Sequence, residues 1–392
     1  MTASLAIILL LGLVMNRLFE SIKLPGLLGM LIAGAVVGPY MLDIIDPELL
    51  AVSSDLRKIA LIIILLRAGL GLKKDQLNKI GISAAKMSMI PGLLEGIAIF
   101  FLSRYLFGLS FEEAGMLGFI IAAVSPAVIV PLMLDYIERK KGEKNAVPTL
   151  ILAGASIDDV FAITIFSAFL AIYRGTASSL LGSLLGIPIS ILLGIISGIM
   201  AGAFLVWFFK TNHTRDTKKV LIILGVSILL NSAEDLLVGM SIPFASLLGV
   251  MTIGFVILEK APERAKRLSV KFNKVWVFAE ILLFVLLGAQ VNISVLFDSG
   301  AAGLLVIAFG LLFRSMGVLI SLAGSPLTKK ERLFCIIAYT PKATVQAAIG
   351  AVPLSFGVPA GELILAIAVL SIAVTAPLGA IGIRFSGERL LE

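Results

Sequence analysis

Apolar windows of roughly 17 to 25 residues recur along the chain, separated by short polar stretches, and suit helices crossing a ~30 Å hydrocarbon layer. They fall near 3–20, 25–41, 56–72, 83–104, 114–135, 146–172, 179–209, 219–233, 236–258, 274–291, 299–323, 332–356 and 361–384. No stretch between them reads as a soluble domain. The pattern predicts an all-α membrane protein of about thirteen transmembrane helices. The seventh window is over-long, and a kink is expected near Pro188. The opening run reads as a first membrane helix rather than a signal peptide. Composition agrees: 59% of the 392 residues are hydrophobic and 15% charged. Mean hydropathy is +1.08, more apolar surface than a soluble fold of this size could cover.

Charge adds orientation. Loops after even-numbered windows hold only Arg57, Lys58, Arg104 and Arg174; the other loop lysines and arginines follow odd-numbered windows or lie in the tail. That bias predicts an N-terminus outside and a C-terminus in the cytoplasm, with the chain in the cytoplasmic membrane. The net charge of +7 therefore reads as loop bias, not as nucleic-acid binding. Cys335 is the only cysteine and His213 the only histidine, so no disulfide and no thiolate or imidazole metal centre is expected.

The chain also repeats itself. Pro25, Leu27-Leu28-Gly29 and Gly34 recur as Pro243, Leu247-Leu248-Gly249 and Gly254. Ala123-Val124-Ser125-Pro126-Ala127-Val128 recurs as Ala338-Tyr339-Thr340-Pro341-Lys342-Ala343, and Ser156-Ile157 as Ser371-Ile372. The copies are seven windows apart, an odd number, so the second copy enters the membrane from the opposite side. Such inverted repeats are built around discontinuous helices at the midplane. Pro126 with Pro131 and Pro341 with Pro353 mark where two helices are expected to break.

Deep charges supply the candidate chemistry. Four carboxylates lie well inside apolar windows, Glu95, Asp158, Asp159 and Glu280, and three cations lie comparably deep, Arg67, Arg314 and Lys342. A buried charge without a partner costs several kcal/mol, so pairing is expected. Glu95 and Arg314 occupy corresponding windows and are expected to form a structural ion pair. Glu280 reads as a scaffold or vestibule carboxylate. Asp158 and Asp159 then face Lys342. Desolvation and mutual repulsion disfavour two charges there, and their protonation is coupled. A small cation such as Na⁺ or Li⁺ can replace the proton, with Ser125, Ser156 and carbonyls of the broken helices completing an all-oxygen shell. Competition between proton and cation for one site, carried across in alternation, yields obligate exchange.

Gly154-Ala155-Ser156-Ile157-Asp158-Asp159, Ser125-Pro126-Ala127-Val128 and Thr340-Pro341-Lys342-Ala343-Thr344-Val345-Gln346-Ala347-Ala348 carry a family resemblance. Over nearly its whole length the chain resembles the double-aspartate branch of the monovalent cation:proton antiporter superfamily. It is most similar to B-type animal sodium/hydrogen exchangers and their bacterial relatives. The resemblance implies an antiporter fold with two broken crossing helices, a homodimer in the lipid bilayer and an elevator mechanism. It places the moving core at 83–172 and 299–384, the scaffold at 1–72 and 219–291, and a linker helix at 179–209. It makes Asp159 the principal ion and proton carboxylate, with Asp158 as its neighbour. Lys342 becomes the crossover cation, Glu95 and Arg314 become the core pair, and no cofactor is implied beyond the transported ions. One departure stands out. Electrogenic double-aspartate antiporters place a lysine where this chain has Arg314, and arginine hardly deprotonates, which leaves the stoichiometry open.

Two other classes fit less well. A sodium-coupled organic-anion symporter of similar fold would need a further cation near the core for its substrate. An intramembrane aspartyl protease needs its two aspartates on separate helices, whereas these are adjacent, so the chain is not expected to be an enzyme.

Overall fold

The structure is a computed structural model that describes residues 1–22, 24–71, 82–175, 180–212, 214–239 and 244–391, except the side chains of 126, 127, 131, 134, 138, 156, 157, 160, 180–188, 235, 238 and 239. Lys23, Lys73, Lys74, Lys79, His213 and Pro243 lie outside the described residues, as do the side chains of Ser156, Pro131 and Pro188. The described chain is helical, without strands. Its principal helices are α1 (Thr2–Ser21), α2 (Gly26–Val37), α3 (Ser53–Gly71), α4 (Ile90–Phe107), α5 (Phe111–Ala122), α6 (Pro126–Glu138), α7 (Val147–Tyr173) and α8 (Leu180–Thr211). The second half adds α9 (Asp216–Gly239), α10 (Ser246–Lys260), α11 (Pro262–Ala289), α12 (Gly300–Ser321), α13 (Lys329–Ala338), α14 (Thr344–Ile349) and α15 (Gly361–Leu390).

Six described helices are individually long and apolar enough to cross a membrane: Thr2–Ser21, Ile82–Phe107, Ile189–Thr211, Pro262–Ala289, Gly300–Ser321 and Gly361–Leu390. Boundaries moved. The loop expected over 260–274 is the first half of α11, because Pro262 can open a helix and the lysines and arginines after it can continue one. The break expected near 234 is absent, since α9 continues through Glu234 and Asp235 to Gly239.

The fifth and twelfth windows are interrupted as their prolines predict. α5 ends at Ala122, residues 123–125 run extended and α6 starts at Pro126. α13 ends at Ala338, and α14 resumes at Thr344 after Pro341. The helix before each interruption opens with a capping box, Ser110 with Glu113 and Thr328 with Glu331. Each capping glutamate also accepts a distant donor: Glu113 from the Ala360 amide at 3.1 Å, Glu331 from the Asn145 side chain at 2.9 and 3.0 Å. The two copies therefore share a start signal as well as a break.

The chain divides into two compact units: Met1–Arg57 with Lys79–Phe166 and Ile281–Glu392, and Lys58–Asn78 with Ser167–Glu280. Within the first, a Cβ on Gly34 would lie 2.0 Å from the Val285 carbonyl oxygen, and one on Gly288 2.1 Å from that of Leu31. Within the second, Gly69 bears the same relation to Met251 at 2.1 Å, and Gly254 to Leu66 at 2.7 Å. Each unit thus contains one copy of the same crossing, α2 on α11 and α10 on α3. Small residues let the backbones meet, as helices do where lipid removes the hydrophobic drive to associate. Also in the second unit, Arg67 donates to Asn273 at 2.8 Å and lies over the Trp276 ring.

Candidate functional site

Every sequence-predicted site residue lies in the first unit, around the two helix interruptions. The interruption after α5 leaves backbone groups that must be satisfied internally. Their partners are specific. The Val124 amide donates to Asp158 Oδ2 at 2.8 Å, and the Ser125 amide to the Pro341 carbonyl at 2.8 Å. The Lys342 amide donates to Thr375 Oγ1 on α15 at 2.8 Å. Ser125 Oγ lies 3.5 Å from Thr344 Oγ1, so the two broken segments touch where they cross.

The charges form a connected set. Arg314, on α12, uses its whole fork. Nη1 donates to Glu95 Oε2 at 2.6 Å and to the Ala122 carbonyl. Nη2 donates to Asp158 Oδ2 at 3.0 Å, and Nε to the Tyr339 carbonyl at 2.6 Å. Lys342 Nζ donates to the same Glu95 oxygen at 2.6 Å. All four charged side chains are almost fully buried. Two carboxylates, Glu95 and Asp158, thus meet two cations.

This corrects one expectation. Among the described residues no hydrogen bond joins Lys342 to either aspartate; its ammonium pairs with Glu95. The reason is occupancy. Arg314 already donates to Asp158, and a buried glutamate on α4 facing α12 and the crossing is open to a second cation. Several carbonyls of the first broken helix already accept hydrogen bonds, those of Ile120 and Ala123 from Gln346 and that of Ala122 from Arg314. The Pro341 and Tyr339 carbonyls accept from the Ser125 amide and from Arg314.

Asp159 stands apart. It is 5% exposed, and no hydrogen bond or ion pair engages it among the described residues. Asp158 Oδ1 is also without a partner. A polar or charged group left so in an apolar interior is costly, and such groups mark ion pathways in membrane proteins.

Glycines make room for this arrangement. A Cβ on Gly92, one turn before Glu95, would lie 2.9 Å from Asp158 Oδ1. On Gly154, one turn before Asp158, a Cβ would lie 1.9 Å from the Tyr339 hydroxyl. That hydroxyl is buried and unpartnered, while its ring carries the Arg314 guanidinium 5.3 Å from the centroid. Gly154→Ala is expected to destabilise by about 1–3 kcal/mol through overpacking. Tyr339→Phe should restore part of that loss, because the nearest remaining atoms are Met87 Cβ at 3.1 Å and the ring at 3.2 Å. A double-mutant cycle on thermal unfolding measures the coupling.

Sequence reasoning missed Gln346 and Tyr339. For Gln346 a signal existed: an amide inside an apolar stretch needs partners for its nitrogen and oxygen. For Tyr339 only the three-dimensional crossing puts the hydroxyl against Gly154.

Comparison with known proteins shows the family and the fold. The family profile described as sodium/hydrogen exchanger, transmembrane, matches residues 5–386. Sodium/hydrogen exchanger 9B2 of Homo sapiens is 35% identical over 391 residues, covering 94% of this chain and 70% of the relative. Its Mus musculus counterpart is 33% identical over 400 residues, covering 96% and 71%. Among solved structures, the sodium proton antiporter MjNhaP1 of Methanocaldococcus jannaschii at pH 8 superposes with a TM-score of 0.87. It covers 99% of this chain and 98% of its own, at 21% identity, and so shares the fold. An apolar helical chain with repeated broken helices and buried paired charges thus matches this profile almost end to end, and it belongs to the transmembrane sodium/hydrogen exchanger family of monovalent cation:proton antiporters.

Proposed function

We propose that the protein exchanges protons for Na⁺ or Li⁺, one for one, with Asp159 as the exchanging carboxylate. The observation that carries this reading is the buried Asp159 carboxylate, unpartnered beside a charge-balanced quartet. Glu95 and Asp158 are offset by Arg314 and Lys342, so the quartet needs neither proton nor cation to be neutral. Asp159 is the remaining charge, and one proton or one monovalent cation neutralises it. Each satisfies the site alone, and neither needs the other.

Exchange follows from that competition. A site that crosses the membrane more readily when neutral moves loaded with H⁺ or with the cation, and returns with the other. Asp158, Ser125 and Ser156 lie near enough in sequence or across the crossing to contribute oxygens. The moving part in this reading is the core at 83–172 and 299–384, riding as an elevator against a scaffold at 1–72 and 219–291 that pairs in a homodimer. The chain sits in the cell membrane with its N-terminus outside. An anion symporter is disfavoured because Arg314 and Lys342, the cations nearest the aspartates, are both committed to carboxylates.

The test uses purified protein in liposomes with a trapped pH dye. Addition of Na⁺ or Li⁺ is expected to move protons, and an imposed membrane potential to leave the initial rate unchanged. A rate that rises or falls with the potential would rule out one-for-one exchange. Uptake of a labelled organic acid without proton movement would replace the antiport reading with symport.

A further inference from the structure

Charge counting along the chain places Arg57 in a loop, yet it lies near the start of α3 and is 1% exposed. Its Nε donates back to the Ser53 carbonyl at 3.3 Å, which folds the guanidinium over the first turn of the helix. Nη1 is buried and without a hydrogen-bond partner. Among the described residues no carboxylate lies within ion-pair distance of Arg57. Asp55, two residues earlier, is exposed and does not share its face of the helix. Arg314 and Lys342 are as deeply buried, and both hold carboxylates. A buried cation with no counter-charge is costly. The start of a helix is itself positive, which opposes a cation there and favours an anion.

A second buried donor stands beside the first. Ser53 is fully buried, one turn before Arg57 and on the same face of α3. Its hydroxyl oxygen accepts from Gln290 Nε2 at 2.5 Å, just beyond the end of α11, so the hydroxyl proton is left for another acceptor. Gln290 also lines a cavity of about 170 Å³ together with Pro39, Tyr40, Leu354 and Ser355. No acidic side chain lines that cavity. All of these residues belong to the first unit.

We propose that Arg57 and Ser53 form a binding site for one small monovalent anion of chloride size, reached along Gln290 from this cavity. One such anion neutralises one guanidinium and accepts from both spare donors. The depth of Arg57 selects a small inorganic ion over a lipid phosphate, whose tails stay in the bilayer. The site is separate from the aspartates, and it stands whichever cation the protein exchanges.

The experiment follows thermal unfolding of purified protein in detergent, with sodium gluconate replaced stepwise by sodium chloride at constant Na⁺ and ionic strength. The unfolding temperature of wild type is expected to rise with chloride and then to saturate, as it does for a ligand bound by the folded state alone. Arg57→Met is expected to show no such rise. In chloride-free buffer it should unfold at a higher temperature than wild type, because it removes a buried unpaired charge. A merely structural role for Arg57 predicts the reverse, a Met variant less stable than wild type in both buffers. Ser53→Ala should keep the response and need about 10-fold more chloride to reach half of it, having lost one hydrogen bond to a charged ligand. A wild type indifferent to chloride, a rise that persists in Arg57→Met, or stabilisation by phosphate but not by chloride would overturn the proposal. If Arg57→Met does not fold, a Ser53→Ala variant with the half-saturating chloride of wild type overturns it instead.

Discussion

Asp159→Asn is expected to abolish cation-dependent proton movement in proteoliposomes, about 100-fold or more below wild type. Asparagine keeps the shape of aspartate and loses both the negative charge and the exchangeable proton. A second expectation separates this loss from misfolding. Asp159 has no ion-pair partner among the described residues, so neutralising it strands no cation. At pH values where Asp159 is ionised it also removes a buried unpaired charge, which an apolar interior disfavours. The unfolding temperature of Asp159→Asn should therefore rise, and Na⁺ should no longer raise it further, because a ligand stabilises only a state that binds it. Asp158→Asn makes the contrast. That change weakens an acceptor shared by the Val124 amide and the Arg314 guanidinium, and the unfolding temperature should fall. If both variants fell equally in stability, or if Asp159→Asn still exchanged, the assignment of roles between the two aspartates would be wrong.

The reading of the chain by hydropathy and charge reached part of this site. Asp158 and Asp159 were visible because two carboxylates cannot sit idle in an apolar run. The helix interruptions were visible because Pro126 and Pro341 occupy matching places in the two copies. The proximity of Glu95 and Arg314 follows from the cost of burying either charge alone. That Arg314 also serves Asp158, and that Lys342 turns to Glu95, was not legible. Lys342 sits at the crossing, within reach of several acceptors, and only the packing of α4 against α12 puts Glu95 under its ammonium. Nor could a one-dimensional pattern show that the carbonyls of α5 are taken by Gln346, a residue more than two hundred positions away. Helix ends failed for a different reason. The basic start of α11 and the acidic end of α9 are polar stretches that remain helical, and hydropathy alone reads polarity as loop.

The quartet makes the largest structural demand, and Arg314 is its centre. Arg314→Met is expected to destabilise the protein by about 3–5 kcal/mol, the cost of breaking a buried pair by removing one partner. The change leaves Glu95, Asp158 and Asp159 with Lys342 as the single cation among them, and it uncaps the Ala122 and Tyr339 carbonyls. Arg314→Lys tests charge apart from geometry. It restores one positive charge, but one ammonium cannot reproduce a planar fork that serves Glu95, Asp158 and two carbonyls at once. Its stability should fall between wild type and Arg314→Met, as measured by thermal unfolding in detergent. A lysine can also lose its proton where arginine does not. Arg314→Lys therefore introduces a further group able to lose a proton, in direct reach of Asp158, and its transport rate should respond to an imposed membrane potential where the wild type does not. A Lys variant as stable as wild type would show that the fork is dispensable. A Met variant equally stable would show that the quartet does not hold the crossing together.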